Sequence, residues 1–154
     1  MNKFIMACII SIFVIPIVAK EEEVIDIVAK HFKNVGNVTV ITGDVKIKKG
    51  LDLLDADKVT VYTNKERKPL SYEAKGNVRF KIITEDKREL NGKSERLVYD
   101  VKKNEYRLYD NVYVKETGKK NVLHGDEIIL SKKGDYANVV GNKSAPARII
   151  FSLD

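Results

Sequence analysis

The chain carries one cysteine, no tryptophan, two histidines and three prolines in 154 residues. Cys8 lies in an apolar run near the N-terminus, so the remainder offers no thiol for a disulfide, a thiolate metal site or cysteine catalysis. His31 and His124 stand far apart, and neither has a partner at zinc-ligand spacing. No serine sits in a nucleophile elbow, and neither a phosphate-binding glycine loop nor a dinucleotide fingerprint occurs. These absences leave little from which to assemble an active site, and the chain reads as a non-enzyme with no cofactor and no metal. Helical periodicity is scarce too. Only residues 22–32 allow a helix, and Ile25-Asp26-Ile27 fits a strand equally well.

What the chain has is a repeat. Gly43-Asp44-Val45-Lys46-Ile47-Lys48 returns as Gly76-Asn77-Val78-Arg79-Phe80-Lys81 and as Asp110-Asn111-Val112-Tyr113-Val114-Lys115, at intervals of 33 and 34 residues. Each copy joins a pair suited to a tight turn to alternating apolar and basic residues, the pattern of a half-buried strand. Between copies comes a polar residue beside a small one, as in Asp55-Ala56-Asp57, Asn91-Gly92 and His124-Gly125. Tyr72, Tyr106 and Tyr136 precede successive turn pairs. Self-similarity of this period predicts a stacked, solenoid-like β architecture of about 12 short strands. Such a fold builds long surfaces more readily than compact pockets.

Alternation assigns the faces. Ile41, Val45 and Ile47 share one side of the first unit, continued by Val59 and Val61. Val78, Phe80 and Ile82, then Leu97 and Tyr99, do so in the second; Leu108, Val112 and Val114, then Ile128 and Leu130, in the third. These sets predict one long apolar interior in an elongated, antiparallel sandwich.

Lys3 is followed by an apolar run from Phe4 to Ala19, broken only by Ser11 and Pro16, and then by Lys20 and three glutamates. That order suits a cleaved signal peptide over residues 1–19, the run falling short of the ~20 residues of a comfortable span. Residues 20–154 then form a single domain, with Lys3 the only charge lost from a net +6. The excess of lysine suits an anionic partner or keeps strand edges soluble. Nucleic acid is disfavoured by the export signal and by the lack of an aromatic and arginine platform. Asp55 and Asp57, and Asp126-Glu127, have the chemistry for proton transfer or a hard cation. Their recurrence just before a strand fits turns better.

Taken in order, the stretches Ile25 to Phe32, Asn37 to Gly50, Asp55 to Val59, Tyr72 to Val78, Gly92 to Tyr99, Tyr106 to Val114, Leu123 to Ile128 and Gly141 to Phe151 resemble the OstA-like periplasmic proteins of lipopolysaccharide transport, the LptA family. The resemblance implies a β-jellyroll of V-shaped cross-section with an open apolar groove. It also implies a periplasmic carrier that shields the acyl chains of lipid A and bridges inner and outer membranes by end-to-end assembly. Its partners would be lipopolysaccharide, an inner-membrane LptC-type protein, an outer-membrane LptD-type protein and further copies of itself, head to tail. The groove would be lined by Ile41, Val45, Ile47, Val59, Val61, Val78, Phe80, Leu97, Tyr99, Leu108, Val112, Val114, Ile128 and Leu130, and the pairing edges would carry Ile25 and Ile27 at one end, Ile149 and Phe151 at the other. Retention of residues 4–19 would instead resemble the membrane-anchored LptC component. A secreted β-solenoid that binds polysaccharide or only polymerises is the reading outside lipid transport.

Overall fold

Alternating apolar and polar residues with abundant Val, Ile, Thr and Tyr favour extended chain, and the computed structural model, which describes residues 24–153, contains ten strands and no helix among them. They are β1 (Ile25–Val28), β2 (His31–Val35), β3 (Val38–Lys49), β4 (Asp52–Thr63), β5 (Pro69–Ile83), β6 (Glu89–Asp100), β7 (Glu105–Glu116), β8 (Val122–Ser131), β9 (Ala137–Val140) and β10 (Arg148–Ile150). All pairings are antiparallel, in the order β1-β3-β4-β5-β6-β7-β8-β10, with β2 also on β3 and β9 also on β8. The sheet stays open. The expected signal peptide, residues 1–19, lies outside the described residues.

The repeated turn pairs are not hairpin turns, and this corrects the sequence reading. Gly43-Asp44, Gly76-Asn77 and Asp110-Asn111 sit in the middle of β3, β5 and β7. All six residues have positive φ, from 46° at Asp44 to 86° at Gly43, a region open to Gly and tolerated by Asn and Asp. Opposite them the register slips: Thr42 pairs Lys58, but the next pair is Val45 with Ala56. Two residues of one strand thus face one of its neighbour, a β-bulge that bends both. The same slip recurs in every pairing from β3 to β8, so the bulges stack into a corner along which the sheet folds. Asp55-Ala56-Asp57, Asn91-Gly92 and His124-Gly125 likewise lie inside strands rather than in turns. The sequence therefore has fewer, longer strands than expected, up to 15 residues in β5. The hairpin ends fall at the other turn signals, such as Gly50-Leu51, 64–68 and 132–136.

The corner divides the sheet into two arms. Arm one holds residues 25–28, 45–49, 52–55, 78–83, 89–93, 112–116, 122–125 and 148–150. Arm two holds 31–35, 38–42, 58–63, 69–75, 96–100, 105–109, 127–131 and 137–140. Their facing sides meet in one hydrophobic core of twenty buried apolar residues. Of the segment open to a helix, the described residues form strands: β1 pairs Lys46 to Lys49 and β2 pairs Val38 to Thr42, the two separated at the corner by Ala29-Lys30.

Candidate functional site

Strand register arranges the core as continuous cross-strand rows. In arm two one row runs Phe32, Ile41, Val59, Ala74, Leu97, Leu108, Ile128, Val139. A second runs Val61, Tyr72, Tyr99, Tyr106, Leu130, Ala137. In arm one the row is Ile27, Ile47, Leu54, Phe80, Gly92, Val114, Leu123, Ile149. With neighbouring strands ~4.8 Å apart, an eight-strand row spans roughly 34 Å. Gly92 leaves room for the Phe80 ring: a Cβ there would lie 2.5 Å from that ring and 2.2 Å from the Tyr113 carbonyl.

All fourteen candidate groove residues are buried in this core. It also contains Ile82, from the same apolar side, and Ala56, Tyr72, Ala74, Leu90 and Tyr106, which were not among the candidates. The interior is packed by its own side chains, leaving a cavity of about 40 Å³ beside Tyr72, Phe80, Tyr99 and Tyr106. Towards the C-terminal end a recess of about 310 Å³ opens against Leu90, Val114, Leu123, Ile149 and Phe151. The edge candidates divide: Ile25 and Ile27 are half-buried against the core, whereas Ile149 and Phe151 are exposed. β1 and β2 have β3 on one side only, and β9 and β10 have β8 on one side only, among the described residues.

Away from the corner the arms are tied by polar groups. Asp52 at the start of β4 is buried; its carboxylate accepts from the Ile83 N–H at 2.9 Å, the Tyr106 hydroxyl at 2.6 Å and the Lys132 ammonium at 2.6 and 2.7 Å. Lys132 also donates to the Ile83 carbonyl at 2.5 Å. Beside this tie Tyr99 lies 4.6 Å from the Tyr106 ring, receives a hydrogen bond from Lys49 at 3.1 Å and donates to Asn104 at 2.7 Å. Arg88 of arm one's hairpin end reaches the Gly134 carbonyl of arm two's at 2.6 Å. Nearby, burial pushes the Glu105 carboxyl up, but hydrogen bonds from Tyr136 and Arg107 outweigh it and hold it below the usual range. Tyr136 is correspondingly raised by its bond to that carboxylate.

Three further candidates from the sequence have local roles. Asp55 pairs with Lys46 at 3.6 Å, Asp57 accepts from Asn77 at 2.9 Å, and His124 meets the Tyr113 ring edge-on at 6.4 Å. No group of three or more His, Cys, Asp or Glu suited to a metal is present among the described residues.

A sequence model of the family described as "LptA/(LptD N-terminal domain) LPS transport protein" matches residues 26–136. The chain belongs to that family. Twenty solved chains match it. One is LptH of Pseudomonas aeruginosa, described as the LptA-homologous periplasmic component of the lipopolysaccharide transport device. It is similar with a TM-score of 0.73 at 19% identity, over 85% of this chain and 96% of that one. That likeness establishes the LptA jellyroll fold. No curated protein matches the chain. In this LptA-family jellyroll two of the three apolar rows run from one unpaired edge to the other, and the third runs from β4 to β9.

Proposed function

We propose that this protein is a periplasmic lipopolysaccharide carrier that holds lipid A acyl chains between its arms and passes them along a chain of modules paired end to end. The observation that supports this reading is the pair of apolar rows, Phe32 to Val139 and Ile27 to Ile149, that reach both unpaired edges, where they would meet the rows of a stacked module. Burial of hydrocarbon is worth about 0.8 kcal/mol per methylene and needs no specific chemistry. Edge pairing uses main-chain hydrogen bonds that β1, β2, β9 and β10 leave available. Contacts at the ends of the chain of modules would be with LptC-type and LptD-type proteins. Transfer in one direction requires energy from another component, since a passive groove only binds.

Photocrosslinking tests the reading. A photoreactive residue at Phe80, in cells that make lipopolysaccharide, is expected to give a lipopolysaccharide adduct, and one at outward-facing Lys81 is not. Lack of adduct at Phe80, Val45 and Val114 alike, in folded protein, would overturn it.

A further inference from the structure

The outer sides of the two arms differ in charge. On arm one, strand register places Lys46, Arg79, Lys93 and Arg148 in one cross-strand row, with Asp55 its one acidic member. The next row holds Lys48, Lys81 and Lys115, with Asp26 at its end. Lys46 is paired with Asp55 and Lys81 with Glu89. Lys48, Arg79, Lys93, Lys115 and Arg148 are exposed and have no ion pair among the described residues. Arm two has acidic partners outside: Lys75 and Arg96 both pair with Glu73 and Arg107 pairs with Glu105, while Lys33 and Lys58 have no ion pair among the described residues.

Solubility alone does not account for this asymmetry. A soluble surface intersperses the two signs. Like charges stand opposite each other on both arms, Arg79 with Lys93 on arm one and Lys58 with Lys75 and Arg96 on arm two, an arrangement that costs stability. On arm two Glu73 pairs with both Lys75 and Arg96, whereas Arg79 and Lys93 have no such partner among the described residues. The same two rows also expose Val28, Leu53 and Ile150. Free cations interleaved with exposed aliphatic side chains, on the outer side of a sheet, match an anionic surface with an apolar layer beneath it. A soluble polyanion needs only the cations, and single-stranded nucleic acid needs stacking aromatics, of which these rows supply only Tyr113 and His124, packed edge-on against each other.

We propose that the outer face of arm one docks on the surface of an anionic phospholipid bilayer. This is separate from cargo binding, which the proposed function assigns to the inner faces. Lys48, Arg79, Lys93, Lys115 and Arg148 meet the phosphates, and Leu53 with Val28 and Ile150 enters the interface. Each cation close to such a surface strengthens partitioning about fivefold.

The test is sedimentation of the full chain with phosphatidylcholine vesicles, with or without phosphatidylglycerol, at low and high salt. The variant R79Q/K93Q/K115Q is compared with the charge-matched control K33Q/K58Q/K75Q on arm two. Because both keep residues 1–23, any binding through that segment is common to them. We expect binding that needs phosphatidylglycerol, weakens with salt, falls about a hundredfold in the arm-one variant and changes less than about threefold in the control. Equal losses in both variants, or equal binding to neutral vesicles, would overturn the proposal. So would binding of free polyphosphate by the same residues without a phosphatidylglycerol requirement, which would make the face a site for soluble polyanions.

Discussion

Replacing Asp52 by alanine removes the acceptor at the centre of the tie between the arms. Lys132, whose side chain is 16% exposed, would keep only the Ile83 carbonyl, and the Tyr106 hydroxyl and the Ile83 N–H would each lose the bond to Asp52. Breaking a buried ion pair from one side costs about 3–5 kcal/mol; some access to water for Lys132 puts the expected loss near about 3 kcal/mol. With a urea slope of roughly 2 kcal/mol per molar, the unfolding midpoint should fall by about 1.5 M, read by circular dichroism. The paired change D52A/K132M removes both charges. It should be less destabilising than the sum of D52A and K132M by about 1–3 kcal/mol, because neither charge is left without the other. A D52A loss below about 1 kcal/mol, or strict additivity in the cycle, would refute the view that this pair fastens the arms.

Other outcomes follow from the same geometry. Gly92→Val should cost about 1–3 kcal/mol in urea unfolding through its clash with Phe80 and the Tyr113 carbonyl, and Phe80→Ala in that background should recover little, since the carbonyl clash remains. Asn77→Val should cost about 1–2 kcal/mol, because a β-branched residue replaces one at φ 48° and the bond to Asp57 is lost. Glu105 has a folded-state pKa below its ordinary value of 4.5, so its contribution is complete above that pH and lost as pH falls through the lower folded value. Glu105→Gln should therefore flatten the decline of stability on the acid side while leaving its slope near neutrality unchanged. If modules pair end to end, Ile149→Asp with Phe151→Asp should shift concentrated protein towards the monomer in light scattering, whereas Leu51→Asp, at a hairpin end, should not.

The three repeated pairs, Gly43-Asp44, Gly76-Asn77 and Asp110-Asn111, were legible as residues suited to a tight turn, and the alternation beside them as strands. Across these pairs the chain advances four residues between inward positions, as from Ile41 to Val45 or Leu108 to Val112, so a simple period of two carries through the corner. In the intervening strands the bulge advances only three. β4 turns inward at Val61 and Val59 but then at Ala56, Leu54 and Asp52, leaving Leu53 44% exposed. β6 switches in the same way between Leu97 and Ser94. Continuing the alternation of Val59 would place Asp57, Asp55 and Leu53 inside. This change of parity hides Ala56, Leu90 and the buried carboxylate of Asp52 from a reading of the sequence.

By itself, then, the sequence determined an all-β chain, the places where its backbone bends, and the fourteen side chains expected in the apolar interior. It did so because backbone sterics and two-residue alternation are local. Tertiary structure decided that the bends are corners within strands rather than hairpin ends. It also decided that Asp52, Tyr106 and Lys132 meet, and that seven cations share one outer face. Those outcomes depend on strand register, a property of pairs of segments dozens of residues apart that no local pattern contains.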